Sequence, residues 1–471
     1  MTDLSFASAT ELTALIRRRE LSPTELMRYT LDRIDTVDSA VNSVVALAPE
    51  RALAEATALE QRLARGEEAG PLAGLPILVK DLEDAEGLPT SRGTSAYAGR
   101  PPATRDSIHV ARLRAAGALV VGKTNTPPLG AAVHTANNAF GVTRNPWNPE
   151  RTPGGSSGGA AAAVAAGLVS LATAGDGGGS TRIPAALCGV VGLKPSRGRI
   201  PRGPARMPAW TQHMCLSGMA RTVRDTALHL DVAAGHHPAD PNSLPAPALS
   251  YRAALDEPLP ALRVGVLRTL GIAAPRPEIL HALDRAAHLL REQGHEVRDD
   301  EAPLPGADDF PAPFQLRQNV LAYARLLTVL DDFTIRRHAF EPWFADALDA
   351  GRSLTTADMA SYWAHRTQLD RWAAALFDRY DLLLMPTTPT TAWPAEGPNL
   401  AVALRERALP ISYTAVFNDT GHPAVSIPAG IAPDGLPLAV QLIAPHHRDD
   451  LALSAAHTLE ASLGTQRPPL L

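Results

Sequence analysis

Short apolar runs of strand length alternate with helical segments in the first half of the chain, and this pattern limits the fold most strongly. Residues 75–79 and 168–173 have the length and composition of buried strands. Residues 107–116 and 160–166 are helical in pattern, and Gly167 is placed to end the second of these helices. Strands that alternate with helices in this way predict an α/β fold with a covered sheet.

Helical patterns flank this part of the chain. Capping-box spacings begin helices after Ser8 and Ser22, and helical periodicity continues to about Arg65. Residues 236–260 are rich in Pro and Ala and suit a linker or surface crossing, and residues 277–380 are mostly helical in pattern. Apolar runs that predict further strands lie at 262–266, 382–385, 424–427 and 438–442.

Charge and cysteine content exclude several classes of partner. A net charge of −5 without a long basic run argues against nucleic-acid binding. Two cysteines, Cys188 and Cys215, cannot build a disulfide framework, and the N-terminus lacks the charge order of a secretory signal. The longest apolar stretch is mainly Ala and Gly, too weakly hydrophobic to span a bilayer. We therefore expect a cytoplasmic protein without membrane association.

Lysine is nearly absent from the sequence. Of 44 basic residues only Lys80, Lys123 and Lys194 are lysines. Arginine replaces lysine on a surface with little effect, so these three positions are candidates for sites where a guanidinium cannot serve.

Two glycine-containing patterns resemble well-known motifs but have the wrong surroundings. Residues 117–124 match a phosphate-binding loop, yet a helical segment precedes them and Ala-Leu-Val-Val suits a strand, so a structural role for Lys123 is favoured. Residues 154–158, Gly-Gly-Ser-Ser-Gly, match a nucleophile elbow around Ser156, but the preceding segment is rich in Pro and Asn and cannot be a buried strand. His213, His229 or one of several other histidines could serve as the base of such an elbow, and none of them has a distinctive sequence context.

A third glycine-rich segment, Asp-Gly-Gly-Gly-Ser at 176–180, follows a predicted strand. Consecutive glycine N–H groups can converge on one point, which is what the oxyanion of an acyl-transfer reaction requires. A flexible loop without chemical function would have the same composition, so this segment alone leaves both interpretations open.

Taken together, Lys80, Ser156 and Ser180 with their surrounding motifs resemble the amidase signature family. The resemblance extends through 184–195, 218–223, 420–428 and 434–437. It implies one large α/β domain over residues 1–471, a mixed central β-sheet enclosed by α-helices. Its core motifs would lie at about 70–225 and 382–445, and a variable helical region at about 240–380 would cover the substrate.

The resemblance also implies roles for individual residues. Ser180 would be the nucleophile, Ser156 would follow a cis peptide bond and relay the proton, and Lys80 would be the base. A lysine can do this near pH 7 only if its pKa falls from about 10.4, for which burial among residues 77–79 is the expected cause. The backbone N–H groups of Gly177, Gly178, Gly179 and Ser180 would form the oxyanion hole.

Other residues near this site have supporting or structural roles. Asp176 and Arg182 flank the glycine loop and are expected to brace it. Cys188 lies in an apolar run and is expected to be a core residue, which argues against a cysteine nucleophile. No metal ion and no organic cofactor are expected.

The resemblance predicts an amidase that hydrolyses a carboxylic amide through an acyl-enzyme and acts as a monomer or homodimer on a small-molecule amide. A Gly-Gly-Gly-Ser loop also occurs in members similar to 6-aminohexanoate cyclic-dimer hydrolases, which makes cyclic or linear aminoacyl amides candidate substrates. The alternative is the glutamine-hydrolysing subunit of a tRNA-dependent amidotransferase. Those subunits typically have Arg-Gln-Pro after the nucleophile, whereas this chain has Arg182-Ile183-Pro184.

Overall fold

The computed structural model describes residues 4–68, 70–203, 213–397, 413–464 and 466–469, apart from the side chains of residues 330–333 and 335. The strands within these residues are β1 (Val44–Leu47), β2 (Pro76–Lys80), β3 (Leu119–Thr124), β4 (Ala136–Asn137), β5 (Gly141–Val142), β6 (Leu171–Asp176), β7 (Val191–Lys194), β8 (Cys215–Ala220), β9 (Arg263–Leu267), β10 (Glu296–Asp300), β11 (Leu382–Pro386), β12 (Ala424–Ile431) and β13 (Pro437–Ile443).

Fourteen α-helices occur in the same described residues. They are α1 (Ala9–Arg17), α2 (Pro23–Val41), α3 (Pro49–Ala64), α4 (Ile108–Ala115), α5 (Gly158–Ala165), α6 (Arg182–Cys188), α7 (Val223–Ala233), α8 (Tyr251–Ala254), α9 (Pro277–Glu292), α10 (Ala312–Arg336), α11 (Pro342–Arg352), α12 (Thr356–Arg379), α13 (Ala415–Thr420) and α14 (Asp449–Leu463). The predicted capping boxes are present at Ser8 and Ser22.

Eleven strands form one mixed sheet in the order β1-β3-β2-β6-β8-β7-β12-β13-β11-β9-β10, and β4 and β5 pair separately. Strand β2 runs parallel to both β3 and β6 in the first half of the sheet. Strand β9 runs parallel to β10 and β11 in the second half, and the other pairs are antiparallel.

Both faces of the sheet are covered. Along β11, Leu382 and Leu384 belong to the core cluster that includes α7, α9 and α14, while Leu383 and Met385 belong to the cluster that includes α12 and α13. Alternate residues of a strand point to opposite faces, so apolar residues at every position require helices on both sides. The predicted α/β fold, one domain with a mixed sheet enclosed by helices, is confirmed.

The sequence prediction missed the two edge strands of the main sheet and also β7 and β8 in its interior. Strand β1 lies inside the segment predicted to be helical up to Arg65, and β10 lies inside the region predicted to be mostly helical. Four of the five residues of β10 are charged, and β1 is only partly buried. The charged sequence of β10 carries no apolar signal, whereas β1 is a four-residue apolar run, Val-Val-Ala-Leu, which periodicity alone does not separate from the adjoining helical segments.

Candidate active site

Three segments with predicted functional residues meet at the carboxyl ends of two neighbouring strands in the interior of the sheet. Strands β2 and β6 are parallel neighbours, so their carboxyl ends, Lys80 and Asp176, lie on the same side. The loop that contains Ser156 leads into α5, which packs against both strands. The parallel pair therefore brings together residues that are nearly 100 positions apart in the sequence.

Lys80 is buried, with 1% of its surface exposed, and its amine lies among hydroxyl groups. Its Nζ is 2.8 Å from Ser156 Oγ and 2.7 Å from Ser157 Oγ. The carbonyl oxygen of Gly175 is 3.5 Å from the same nitrogen. Ser157 was not among the predicted site residues, although it is the second serine of the same motif.

Burial sets the protonation of this lysine. Removal from water lowers the pKa of Lys80 from its usual value to about 7, against the opposing charges of Glu83 and Asp176. The prediction of a pKa near 7 caused by burial is therefore confirmed. At neutral pH a substantial fraction of the Lys80 side chain is therefore in the neutral amine form.

The peptide bond between Gly155 and Ser156 is cis, as the resemblance implied. A Cβ atom on Gly155 would lie only 2.8 Å from the backbone of His134, so a side chain does not fit there. Thr126 Oγ1 donates a 2.9 Å hydrogen bond to the carbonyl oxygen of Ser156. These contacts hold the backbone on both sides of the serine whose hydroxyl meets Lys80.

Ser180 is partly exposed at the end of the glycine loop. Its carbonyl oxygen accepts a 3.1 Å hydrogen bond from the N–H of Ser157, which ties the two loops together. The Ser180 hydroxyl makes no hydrogen bond to any residue that the structure describes. The structure thus joins Lys80 to Ser156 directly, whereas a bond from Ser156 to the Ser180 hydroxyl is not formed.

The glycine loop corrects one predicted donor. The N–H of Gly179 donates a 2.6 Å hydrogen bond to Asp176 Oδ1, so it is already used inside the loop. The N–H groups of Gly177, Gly178 and Ser180 donate to no atom in the described part of the chain. The donor set available to a substrate is therefore these three groups instead of four.

Asp176 and Arg182 form a fully buried ion pair beneath the loop, where a brace is predicted. Arg182 Nε lies 3.0 Å from Asp176 Oδ2, and Nη2 lies 3.1 Å from Oδ1. Burial disfavours the charged form of Asp176, but the charge and hydrogen bonds of Arg182, with Lys194 and Asn418, outweigh it and hold the pKa of this carboxyl well below its usual range.

Breaking this ion pair should destabilise the protein strongly. Arg182→Met leaves the Asp176 carboxylate buried without its partner, and such losses cost about 3–5 kcal/mol in the free energy of unfolding. Urea unfolding followed by circular dichroism measures the change. Glu20→Gln, which removes an exposed ion pair to Arg18, is the control and should leave the unfolding midpoint unchanged. An unchanged midpoint in Arg182→Met would contradict the bracing role.

The other two lysines have structural surroundings. Lys123 lies within β3, and its Nζ donates to the carbonyl oxygen of Glu83 at 2.6 Å and to Thr90 Oγ1 at 3.0 Å. The segment 117–124 therefore ends in a strand and does not form a phosphate-binding loop. Lys194 is fully buried, and its Nζ donates to the carbonyl oxygen of Pro195 at 3.0 Å.

Alternative catalytic groups are occupied elsewhere. His213 contacts Tyr362 and Asp419, and His229 contacts His109, so neither histidine pairs with Ser156 as an elbow would require. Cys188 is buried, and burial raises the pKa of its thiol, which disfavours the nucleophilic thiolate.

Two other features are absent from the described residues. No helix there is both long enough and apolar enough to cross a bilayer. No three His, Cys, Asp or Glu side chains there are grouped so that they could hold a metal ion.

The chain is similar to known proteins over almost its whole length. Residues 25–453 match the family model described as Amidase. An acylamidase from Rhodococcus erythropolis is 36% identical, with 98% of this chain and 96% of that protein aligned. A subunit of the glutamyl-tRNA(Gln) amidotransferase from Salinispora arenicola is also 36% identical, with complete coverage of both chains. The solved structure of 6-aminohexanoate cyclic dimer hydrolase with its substrate superposes with a TM-score of 0.89, at 33% identity and complete coverage of both chains. The chain belongs to the amidase signature family of enzymes, hydrolases that act on the carbon–nitrogen bonds of amides.

Proposed function

We propose that this amidase uses Ser180 as nucleophile, with Ser156 and Lys80 as the path for its proton. The observation that carries the proposal is the 2.8 Å contact between Lys80 Nζ and Ser156 Oγ, made by a lysine whose pKa is about 7. A serine hydroxyl needs a base within hydrogen-bond reach to become a useful nucleophile. A neutral amine next to a second serine can supply one through that serine.

The hydrogen bonds of a neutral Lys80 suit this path. Its two N–H bonds can point to Ser157 Oγ and the Gly175 carbonyl oxygen, 2.7 and 3.5 Å away. The lone pair then accepts the hydroxyl proton of Ser156. The Ser156 oxygen is thereby free to accept the proton of Ser180 once substrate brings the two hydroxyls into contact.

The reaction follows in two halves. Ser180 Oγ attacks the amide carbon while its proton passes through Ser156 to Lys80, and the oxyanion accepts hydrogen bonds from the N–H groups of Gly177, Gly178 and Ser180. The intermediate collapses, the C–N bond breaks, and the leaving nitrogen takes the proton back through Ser156. Water then hydrolyses the acyl-enzyme by the same path, and no metal or cofactor takes part.

The substrate class we propose is a small cyclic or linear aminoacyl amide. It is supported by the Gly-Gly-Gly-Ser loop and by the similarity to 6-aminohexanoate cyclic dimer hydrolase over the complete chain. We also propose that the helical region 240–380 covers the site. Two arginines of α10 support this: Arg317 contacts the Gly177 carbonyl oxygen at 2.9 Å, and Arg325 contacts that of Gly130 at 3.4 Å.

A second candidate function is supported by the similarity to the glutamyl-tRNA(Gln) amidotransferase, in which this chain would hydrolyse glutamine within a complex. Amide hydrolysis by the purified protein, as a monomer or homodimer without partner subunits, distinguishes the two functions. We expect it to hydrolyse at least one member of a panel of aryl, aliphatic, lactam and amino-acid amides after gel filtration. Activity on glutamine alone, and only after partner subunits are added, would contradict the free-standing amidase. A cytoplasmic location and independence from nucleic acid remain part of the proposal.

Activity should fall with acid as Lys80 takes up a proton. Below about pH 7 the amine is charged and has no lone pair for Ser156, so kcat/KM should drop by about tenfold for each further pH unit. Initial rates between pH 5 and 9 measure this, with circular dichroism at each pH as the control for folding. A flat profile between pH 5 and 8 in folded protein would contradict the requirement for neutral Lys80.

A further inference from the structure

Four hydrogen-bond donors bind consecutive carbonyl oxygens of the glycine loop, those of residues 176–179. We call these four donors the clamp. The donors, in order along the loop, are Asn418 Nδ2 at 2.8 Å, Arg317 Nη2 at 2.9 Å, Thr414 Oγ1 at 2.7 Å and the N–H of Ile183 at 2.7 Å. The peptide bonds of the loop are trans, and the C=O and N–H of one trans peptide group point in opposite directions. Each N–H therefore points away from the donor that binds the carbonyl oxygen of its own peptide group. The clamp on the carbonyl side therefore determines where the N–H groups point.

Arg317 is the member of this clamp that comes from the helical region 240–380. It lies in α10 and is 5% exposed. Its Nε is 2.9 Å from both carboxylate oxygens of Asp419, while Nη2 reaches the Gly177 carbonyl oxygen. His213 contacts the same carboxylate at 3.1 Å. The guanidinium can make both contacts at once because its donors form a rigid planar fork, which a lysine amine lacks.

The peptide that Arg317 holds is easy to rotate on its own. It joins Gly177 to Gly178, and residues without a Cβ atom place few limits on the neighbouring dihedral angles. Rotation by half a turn would exchange the Gly178 N–H for the Gly177 carbonyl oxygen. A carbonyl dipole would then face the position of a negatively charged oxyanion, which is repulsive.

We propose that Arg317 is a positioning residue that fixes the Gly177–Gly178 peptide with the Gly178 N–H directed at the reacting oxygen. The inference rests on the proposed function, since it assigns this N–H to the oxyanion hole. The helical region 240–380 would then do more than cover the site, because the contact of α10 with the loop also orients one of the N–H groups of the proposed oxyanion hole.

Kinetics of Arg317→Gln and Arg317→Lys test this role. Loss of one oxyanion donor costs about two to three orders of magnitude in rate, so a peptide that is misoriented part of the time should lower kcat by about 10- to 100-fold. KM for the fastest amide of the panel should stay within about threefold, because the interaction is made in the transition state. The rate of inactivation by an alkyl fluorophosphonate should fall by the same factor as kcat. Arg366→Lys is the matched control and should keep its kcat: Arg366 is equally buried and donates to the Asp419 carbonyl oxygen, and among the described residues it makes no hydrogen bond to the glycine loop.

A second substitution separates positioning from general damage. Among the described residues, a Cβ atom on Gly177 would meet only the flexible end of Met214, at 3.3 Å, so Gly177→Ala fits and restricts the peptide while keeping its N–H. Combined with Arg317→Gln, it should restore a large part of kcat. A full kcat in Arg317→Gln, a raised KM with unchanged kcat, or no recovery in the folded double variant would each overturn the role of Arg317. Retained activity in Ser180→Ala would instead overturn the proposed function, and this inference with it.

Discussion

Ser180→Ala should lower kcat/KM for amide hydrolysis by about four to six orders of magnitude, the loss seen when a nucleophilic serine is removed. Without Oγ no acyl-enzyme can form, and the N–H groups of the loop alone can only bind the substrate. The side chain is partly exposed and makes no hydrogen bond to the described residues, so the substitution leaves packing unchanged. Steady-state rates on the best amide, with circular dichroism for folding, measure the effect.

Ser170→Ala is the matched control for this variant. Ser170 is also a serine near β6, but it is buried and its hydroxyl has no hydrogen-bond partner among the described residues. We expect its kcat/KM to equal that of the unaltered enzyme. If Ser180→Ala keeps more than a few per cent of the activity, Ser180 is not the nucleophile.

Lys80→Arg and Lys80→Met should both lower kcat by about two to four orders of magnitude, the usual contribution of a general base. The arginine variant is the sharper test, since a guanidinium stays protonated and offers no lone pair to Ser156. Methionine removes the amine and keeps an apolar side chain of similar length. Equal losses in both variants would show that proton acceptance, and not charge, is what the enzyme requires of this position.

Lys194→Met controls for the removal of a buried lysine. Lys194 is as buried as Lys80, but its amine donates to a backbone carbonyl oxygen. Each folded molecule of this variant should keep most of its kcat. Substantial activity in Lys80→Arg would contradict the proton path, whatever the control does.

The fold and much of the site follow from local sequence patterns. Strands β2 and β6 are apolar runs bounded by polar residues. In the sequence, the serine motif precedes the helix that leads to β6, and the glycine motif follows β6. The contact of Lys80 with Ser156 is therefore expected once the family is recognised. The scarcity of lysine was also informative. All three lysines are buried, and an amine, unlike a guanidinium, can lose its proton near neutral pH when it is buried.

What the sequence could not predict depends on contacts between distant residues. Arg317 and Asn418 lie 140 and 242 positions from their partners in the glycine loop, and no local pattern indicates such pairs. The engagement of Gly179 by Asp176 is local, but it depends on the turn that the loop adopts, and three adjacent glycines allow many turns. Composition therefore identified the loop, while tertiary contacts decide which N–H groups are available.

The most direct test of the central claim is to map the serine that reacts. The purified enzyme is treated with an alkyl fluorophosphonate, digested, and analysed by peptide mass spectrometry, with the Ser180→Ala variant treated in parallel. We predict one adduct, on Ser180, and none in the variant. An adduct on Ser156, or equal labelling of the variant, would contradict the assignment of Ser180 as nucleophile and of Ser156 and Lys80 as its proton path.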